Sequence, residues 1–274
     1  MWGCFPIYWA LLNHVNPSEV LVHRMFWAVP VLFILVYSKT SWRMNFKESL
    51  SSKKELVFLF ITAILITINW GGYILAVNLG RVVEASMGYF LSPVINMIGG
   101  YLFFHERISK LKQLAVLFAT VGALYYVFSG DSFPWLGFLV GFTFSAYGIA
   151  RKAMSSSAVP GLYIETLILL PFFLVFSIWF YANFDIAFFN VDIPTDILLF
   201  LAGAVTVVPL ALFNAGAKLL PMTTVGILFL ITPTIQFLVG YYLQGENVNA
   251  NQLIGFVGVW TGLIMYCYGL IKEK

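Results

Sequence analysis

Apolar residues fill most of this chain in long runs, and short polar segments separate the runs. Nine runs are each about as long as the roughly 20 residues that an α-helix needs to cross a bilayer. They cover 19–38, 56–78, 83–104, 111–129, 134–154, 161–183, 196–217, 223–244 and 251–271. A tenth stretch, Trp2 to Leu12, is too short to cross, and we expect it to be the end of a truncated first helix. The pattern predicts an all-α integral membrane protein with ten transmembrane helices.

The composition also indicates a membrane protein. Hydrophobic residues make up 61% of the chain, charged residues 10%, and the mean hydropathy is +0.90, whereas soluble domains hold roughly 45–50% apolar and about 25% charged residues. The net charge of +3 is too small to indicate a nucleic-acid partner. Cys4 and Cys267 both lie in apolar runs, so we expect neither a disulfide framework nor a thiolate metal site.

Lysine and arginine are concentrated in alternate connections between the runs. With the N-terminus inside, the inner connections are 39–55, 105–112, 151–160, 217–222 and the C-terminal tail. They hold 13 of the 15 Lys and Arg residues, and Arg24 and Arg81 are the two exceptions. Because cytoplasmic loops carry such an excess, the sequence predicts that both termini are cytoplasmic.

The two halves of the chain, 1–130 and 131–274, repeat each other. The matches at an offset of 140 are Pro93 with Pro233, Gly100 with Gly240, Glu106 with Glu246, Gly122 with Gly262 and Tyr126 with Tyr266. Arg24 and Glu165, each six residues before a proline, recur at an offset of 141. Each half holds five helices, an odd number, so the second half enters the membrane from the opposite face. We predict two inverted five-helix repeats.

Inverted repeats usually place the substrate near the midplane, on helices that glycine or proline interrupts. Pro93 and Pro233 lie in the fourth and ninth predicted helices, and Pro209 lies in the eighth. Pro30 and Pro171 lie in the second and seventh. We expect helix breaks at these five prolines.

Polar side chains recur at helical spacing in the third, fourth, eighth and ninth predicted helices. A polar group that faces lipid lacks partners, so these side chains should point inward. The candidates for lining a substrate cavity are Asn69, Tyr73, Asn78, Tyr89, Ser92, Asn96, Thr206, Asn214 and Gln236. The alternative is that they form interhelical hydrogen bonds that hold the bundle together. The sequence leaves both open.

Two charges lie inside apolar runs, where charges are costly and mark function by default. Arg24 is one to two turns from the outer end of its helix, and Glu165 is about one turn from the inner end. The alternative for both is that the side chain reaches the headgroups, and we do not expect the two to pair with each other. Glu165 and His23 are candidate proton carriers. Arg24 and Glu84 complete the set of gating and proton-coupling candidates; the alternative for Glu84 is that it only neutralises Arg81.

Small residues at Gly137-x-x-x-Gly141 and Gly255-x-x-Gly258-x-x-x-Gly262 permit close helix contact, which we expect within the monomer. An integral-membrane enzyme would need clustered His, Asp or Glu, but the three histidines, His14, His23 and His105, are far apart in the sequence. We find no phosphate-binding loop, dinucleotide fingerprint or catalytic triad, and we expect no enzyme activity, cofactor or metal.

Five segments resemble the EamA-like proteins of the drug/metabolite transporter superfamily, specifically the RarD group, which is described as chloramphenicol-sensitivity or permease proteins. They are HRMFW at 23–27, NWGGYILAVNLGRVVEASMGYF at 69–90, GLYIETLILLP at 161–171, VTVVPLALFNAGAKLLP at 205–221 and ITPTIQF at 231–237. The resemblance implies ten helices in two inverted halves, a bacterial inner-membrane location and alternating access.

The resemblance also carries over residues by position. The matching polar residues are His23, Arg24, Asn69, Trp70, Tyr73, Asn78, Glu84, Tyr89 and Glu165. Trp70 joins the candidates for lining the substrate cavity on this basis. Two positions depart from the group: Ser92 stands where Asn is usual, and Phe229-Leu230 stands where a Gln-Tyr pair is usual. We expect substrate contacts to differ there.

The sequence therefore predicts a secondary transporter that moves small organic solutes by alternating access, with proton coupling as a hypothesis. Its partners are membrane lipid, a small-molecule substrate and, under that hypothesis, protons. A passive channel and a non-transporting membrane scaffold are the alternatives. Substrate, direction, coupling ion and oligomeric state stay open.

Overall fold

A computed structural model describes residues 1–79, 88–128, 135–243 and 250–272. Within these ranges the regular structure is helical and includes no strand. Two short 3-10 helices cover Trp2–Cys4 and Gly88–Leu91. Twelve α-helices follow in chain order: α1 Phe5–Ala10, α2 Pro17–Ser38, α3 Thr40–Ser51, α4 Lys53–Asn78, α5 Ser92–Phe104, α6 Lys110–Phe128, α7 Trp135–Ala153, α8 Ala158–Asn183, α9 Ile193–Leu219, α10 Met222–Phe229, α11 Ile231–Leu243 and α12 Ala250–Lys272.

Five helices of the described chain are long and apolar enough to cross a membrane. They are Pro17–Ser38, Lys53–Tyr73 within α4, Ala158–Asn183, Ile193–Leu219 and Leu253–Lys272 within α12. Their outward faces are apolar: Phe172, Val175 and Ile178, spaced three residues apart on α8, are 66%, 69% and 71% exposed. Such a stripe would promote aggregation in water and is suited to lipid. The chain is a multi-pass membrane protein.

The predicted apolar runs coincide with helices, and most ends agree within three residues. The run 223–244 is an exception, since α10 ends at Phe229 and α11 begins at Ile231. Pro233 has no N–H to donate to the carbonyl of Phe229, which favours a new helix at this point. The first part of the run 83–104 lies outside the described residues.

One helix of the structure was not predicted. The connection 39–55 contains α3, a mostly polar helix in which Phe46 and Ser49 are the buried residues. The ring of Phe46 lies 5.2 Å from that of Tyr163 on α8. A short helix with one buried edge produces no long apolar run, so hydropathy alone does not detect it.

The five prolines differ in their effect on the helices. Helices α2, α8 and α9 continue through Pro30, Pro171 and Pro209. At these three positions a continuous helix replaces the expected break, because loss of one backbone hydrogen bond in a long helix is tolerated where neighbouring helices support it. In contrast, α5 begins one residue before Pro93 and α11 begins two residues before Pro233.

The helices form two compact units. Unit 1 comprises Met1–Pro6, Leu65–Ile149 and Ala217–Lys274, and unit 2 comprises Ile7–Ile64 and Ala150–Gly216. Helices α1, α4, α7 and α9 each continue from one unit into the other. The halves 1–130 and 131–274 of the proposed sequence repeat therefore both contribute to each unit.

Glycine allows the closest helix contacts in unit 1. A Cβ on Gly122 of α6 would lie 2.6 Å from both the carbonyl oxygen of Gly255 and the backbone nitrogen of Val259 on α12. The backbone of Gly88 likewise lies against Gly137 and Gly141 of α7. These contacts confirm that the small-residue motifs pack within the monomer.

Unit 2 is built around α2 and α8, which lie against each other. Gly203 on α9 adjoins the backbone of α2, since a Cβ there would lie 2.6 Å from the backbone nitrogen of Ala28. Leu12, Val15 and Leu199 form a further buried apolar cluster. This packing fixes the helices that carry the buried charges described next.

Candidate functional site

A buried ion pair lies inside unit 2 between α7 and α8. Oε1 of Glu165 lies 3.5 Å from Nη1 of Arg151, and the side chains of the two residues are 1% and 0% exposed. The hydroxyl of Thr62 on α4 donates a hydrogen bond of 2.6 Å to the same oxygen of Glu165. We call Thr62, Arg151 and Glu165 the Glu165 cluster. Charges removed from water in this way need close partners, and here each charge has one.

Arg151 is held in place by the start of α8 as well as by Glu165. Its Nη2 donates to the carbonyl oxygens of Ser157 at 3.1 Å and Ala158 at 3.0 Å. The guanidinium also occupies the space beside Gly161, where a Cβ would overlap Nη1. A glycine is therefore required at position 161 for this arrangement.

The connection between α7 and α8 is fixed by two further side chains. Oε1 of Glu55, at the start of α4, accepts hydrogen bonds from the backbone nitrogen of Ser155 at 3.0 Å and from its hydroxyl at 2.7 Å. Oε2 accepts from the backbone nitrogen of Ser156 at 3.1 Å. Oδ1 of Asn45 on α3 accepts from the backbone nitrogen of Ser157 at 2.7 Å. This network holds the segment against which Arg151 is placed.

A second polar group, the Glu19 cluster, comprises Glu19, His23 and Trp27 on the N-terminal half of α2 and Tyr181 near the end of α8. Both carboxylate oxygens of Glu19 accept from the backbone nitrogen of Ala187 at 3.0 Å. The indole Nε1 of Trp27 donates to Nδ1 of His23 at 3.0 Å. An indole only donates, so Nδ1 is the acceptor and a neutral His23 carries its proton on Nε2. That nitrogen lies 3.4 Å from the hydroxyl of Tyr181.

Arg24 contacts two other helices of unit 2. Its Nε donates to the hydroxyl of Thr206 on α9 at 2.9 Å, and its guanidinium lies 5.1 Å from the centre of the Trp9 ring on α1. Glu165 contacts Arg151 and Thr62. Glu165 is buried within unit 2, whereas a side chain that reached the headgroups would be exposed.

In unit 1, Asn69 makes a well-formed contact between α4 and α7. Its Nδ2 donates to the carbonyl oxygen of Val140 at 2.7 Å and to the hydroxyl of Thr143 at 3.2 Å. Tyr73, one turn further along α4, packs on Leu136 and Val140. The two side chains therefore share the face of α4 that contacts α7, as their spacing predicted. In this conformation Asn69 forms hydrogen bonds between α4 and α7.

Other buried polar atoms of unit 1 are not satisfied. Among the described residues, Ser92 Oγ and Asn96 Oδ1 have no hydrogen-bond partner, although the two residues are 1% and 3% exposed. Both lie on one face of α5, and the Asn96 amide lies against Gly226 of α10. Gln236 Nε2 donates to the carbonyl oxygen of Trp2 at 3.3 Å, while its Oε1 has no partner in this part of the chain. Buried polar groups of this kind usually bind a water or a ligand.

Aromatic rings surround the same region of unit 1. The rings of Phe144 and Phe229 lie 5.0 Å apart, and Trp2 and Tyr89 each contact both of them edge-on at 5.4–5.8 Å. Phe229 is one of the residues near which the sequence predicted altered substrate contacts, and the structure places it in this aromatic group.

Glu106 connects α5 to the start of α10. Helix α5 ends at His105, which has a left-handed φ of 53°, and the backbone nitrogen of Glu106 donates back to the carbonyl oxygen of Gly100 at 3.0 Å. This turn, common at helix ends, directs the carboxylate to the backbone nitrogens of Met222 at 2.9 Å and Thr223 at 3.5 Å. A carboxylate at a helix N-terminus is favourable, so Glu106 stabilises the α5–α10 contact.

The structure distributes the remaining predicted residues between the two units. Trp70 is half-buried in unit 1, and Thr206 and Asn214 are buried in unit 2. The side chain of Asn78 and all of Glu84 lie outside the described residues. Sequence reasoning missed Arg151, which we assigned to a cytoplasmic connection, and Thr62, Glu19 and Phe144. The sequence signal for Arg151 was the run of serines at 155–157, which follows it closely, and Gly161 after that run.

Among the described residues, acidic, histidine and cysteine side chains do not cluster into a metal site. No group of three or more of them that could hold a metal ion occurs in the described ranges. The described polar groups contact one another and the backbone, as in a membrane protein with internal hydrogen-bond networks.

Comparison with known proteins identifies the family of this chain. The model of the EamA-like transporter family matches residues 1–128 and 133–268. The uncharacterized transporter YojE of Bacillus subtilis is 36% identical over 276 residues, which cover all of this chain and 92% of YojE. Protein RarD of Escherichia coli is 33% identical over 277 residues, with 100% and 92% of the two chains covered.

More distant similarities extend the comparison. The chloramphenicol-sensitive protein RarD of Pseudomonas aeruginosa is 28% identical over 263 residues, covering 95% of this chain and 87% of that protein. A protein of known crystal structure superposes with a TM-score of 0.72 at 13% identity, over 97% of this chain and 93% of that one. At that identity the likeness shows the fold alone.

Proposed function

The chain belongs to the EamA-like transporter family, and from that premise we propose that it is a secondary active transporter of small organic solutes that works by alternating access. Family membership makes it a membrane transporter; the mechanism, the coupling ion and the site are our proposal. We place it in the bacterial cytoplasmic membrane with both termini inside, since 13 of the 15 basic residues lie in the inner connections.

Two inverted repeats are supported by the helix boundaries. Helix α8 begins at Ala158, 141 positions after α2 begins at Pro17. The buried charges follow the same relation. Arg24 on α2 bonds Thr206 on α9, and Glu165 on α8 bonds Thr62 on α4. The charge on the second helix of each repeat thus contacts a threonine on the third helix of the other repeat.

The observation that carries the proposal is the Glu165 cluster. A buried ion pair is no more stabilising than apolar packing of the same volume, so its retention in an apolar span favours a functional role. The cluster also has two hydrogen-bond arrangements that differ by one proton. An ionised Glu165 accepts from Thr62, whereas a protonated Glu165 can donate to Thr62, whose hydroxyl then donates to the carbonyl oxygen of Leu59, 3.1 Å away.

Proton binding at Glu165 would change the stability of this conformation. The neutral carboxyl no longer compensates the charge of Arg151, which is 0% exposed. A buried charge without a counter-charge is strongly destabilising, so protonation favours a conformation in which Arg151 gains water or another partner. In this way one proton biases the equilibrium between two conformations, as coupled transport requires.

We assign the solute path to the polar and aromatic groups of unit 1. Ser92, Asn96 and Gln236 supply hydrogen-bonding atoms that lack partners among the described residues. Phe144 and Phe229 supply an apolar surface, and both contact the ring of Trp2, whose carbonyl oxygen accepts from Gln236. Pockets that combine apolar walls with a few polar groups are typical of small-molecule sites. We therefore expect an amphipathic organic solute.

Counterflow tests this proposal. Purified protein in vesicles is loaded with a metabolite mixture that includes chloramphenicol, and exchange with labelled external solutes is followed by mass spectrometry. A carrier exchanges one chemical class across the membrane faster than it produces net flux. Flux without exchange would favour a passive channel, and the absence of flux for every solute would favour a scaffold; either result contradicts the proposal.

A further inference from the structure

A groove on the surface of unit 1 runs between α5 and α6. Its volume is about 840 Å³. The walls are mostly apolar and include Val94, Ile98 and Leu102 on α5 and Val116 and Leu117 on α6. The span from Val94 to Leu102 is eight residues, or about 12 Å along the helix axis. Leu102 and Leu117 are 57% and 56% exposed, so the groove opens to the outside of unit 1, where a membrane protein meets lipid.

The polar lining residues are concentrated at one end of the groove. Glu106, Arg107, Gln113 and Thr223 lie where α5 ends and α6 begins, whereas the apolar walls extend from there along both helices. The hydroxyl of Thr120, further along α6, donates to the carbonyl oxygen of Val116 at 2.6 Å, so it does not interrupt the apolar wall. The groove thus has one polar end and a long apolar part, as a phospholipid has a polar headgroup and apolar acyl chains.

The charge at the polar end is positive. The carboxylate of Glu106 accepts the backbone N–H groups of Met222 and Thr223, so it is engaged with α10. Nε2 of Gln113 donates to the carbonyl oxygen of Ile108 at 3.1 Å. Arg107 is exposed at this end, and the exposed Lys110, three residues later, begins α6. An anion is the ligand that this end would attract.

We propose that this groove is a binding site for an anionic phospholipid, with the phosphate at Arg107 and an acyl chain along the apolar walls. Basic pockets between transmembrane helices bind anionic headgroups in this way. The zwitterionic lipids carry a cationic group that Arg107 and Lys110 would repel, so charge selects phosphatidylglycerol over phosphatidylcholine. Binding at this groove is measurable without transport.

Native mass spectrometry of the purified chain tests the site. The protein is mixed with equal amounts of phosphatidylglycerol and phosphatidylcholine that have identical acyl chains. We expect one phosphatidylglycerol per chain to be retained preferentially, and Arg107→Gln to lower that preference by about fivefold, the contribution of one basic side chain near a lipid surface. Arg43→Gln, which removes the same charge from an exposed site on α3, should leave it unchanged.

A second pair of variants tests the apolar part. Leu117→Trp fills the groove and should weaken retention of the lipid with Arg107 intact, whereas Leu114→Trp, on the same helix but outside the groove lining, should not. Glycerol phosphate serves as the probe without acyl chains, and it should not compete at the concentration of the lipid. Equal retention of both lipids by the wild type, equal effects of Arg107→Gln and Arg43→Gln, or full competition by glycerol phosphate would overturn the proposal.

Discussion

The hydroxyl of Thr62 donates a 2.6 Å hydrogen bond to the oxygen of Glu165 that also faces Arg151, and both Thr62 and Glu165 are buried. The hydrogen of the Thr62 hydroxyl can be directed either to this carboxylate or to the carbonyl oxygen of Leu59, which lies 3.1 Å away.

Arg151 and Glu165 should be energetically coupled. Arg151→Gln or Glu165→Gln leaves one buried charge uncompensated, which we expect to lower the free energy of unfolding by about 3–5 kcal/mol. The double variant removes both charges and should lose less than the sum, with a coupling energy of roughly 0.5–3 kcal/mol. Unfolding in detergent by a denaturant series measures the four proteins of this cycle. Strictly additive losses would mean that the two charges do not interact.

Gly161 should be intolerant of a side chain. Alanine at this position places a Cβ in the space of the Arg151 guanidinium, so we expect Gly161→Ala to cost about 1–3 kcal/mol, as other overpacked sites do. Gly216→Ala is the matched control, since a Cβ at Gly216 on α9 would meet nothing within 4 Å. Comparison of the two midpoints of thermal unfolding is the measurement. Equal midpoints would show that Arg151 occupies another position.

Glu106 should stabilise the start of α10. Glu106→Ala removes an acceptor from the backbone nitrogens of Met222 and Thr223, and we expect a loss of about 1–2 kcal/mol, in the range of helix capping and charge at a helix N-terminus. Glu106→Gln keeps one acceptor and should lose less. Glu48→Ala on α3, where the side chain is exposed, serves as the control in the same unfolding assay. A Glu106→Ala variant as stable as this control would contradict the assignment.

Hydropathy predicted most of the helices because each long apolar run satisfies its backbone internally and its side chains in lipid or protein. The amphipathic α3 escaped because it buries only Phe46 and Ser49 along one edge. The breaks beside Pro93 and Pro233 were also predictable, since both prolines fall in the first turn of a helix, where the missing N–H is tolerated.

Fewer residues of the candidate site could be predicted from the sequence. Glu165 was identified because a carboxylate inside an apolar run is conspicuous. Arg151 was not, because a cation at the end of a run resembles one that anchors the helix in the headgroups. Its burial depends on Gly161, on two carbonyl oxygens at the start of α8 and on Glu165, which only the folded chain brings together. The Glu19 cluster likewise depends on the backbone of Ala187, 168 positions away.

The most direct test of proton coupling through Glu165 is transport driven by a pH gradient in the wild type and in Glu165→Gln. For the solute class that counterflow identifies, a gradient of one pH unit supplies about 1.36 kcal/mol per proton, enough for about tenfold accumulation if one proton is coupled to each solute. We expect this accumulation in the wild type and in Glu48→Gln.

The Glu165→Gln variant should still exchange solute but should not accumulate it. The double variant Arg151→Gln/Glu165→Gln gives the same test if the single variant does not fold. Accumulation that persists unchanged in either Glu165 variant would contradict the assignment of Glu165 as the residue that couples protons to transport.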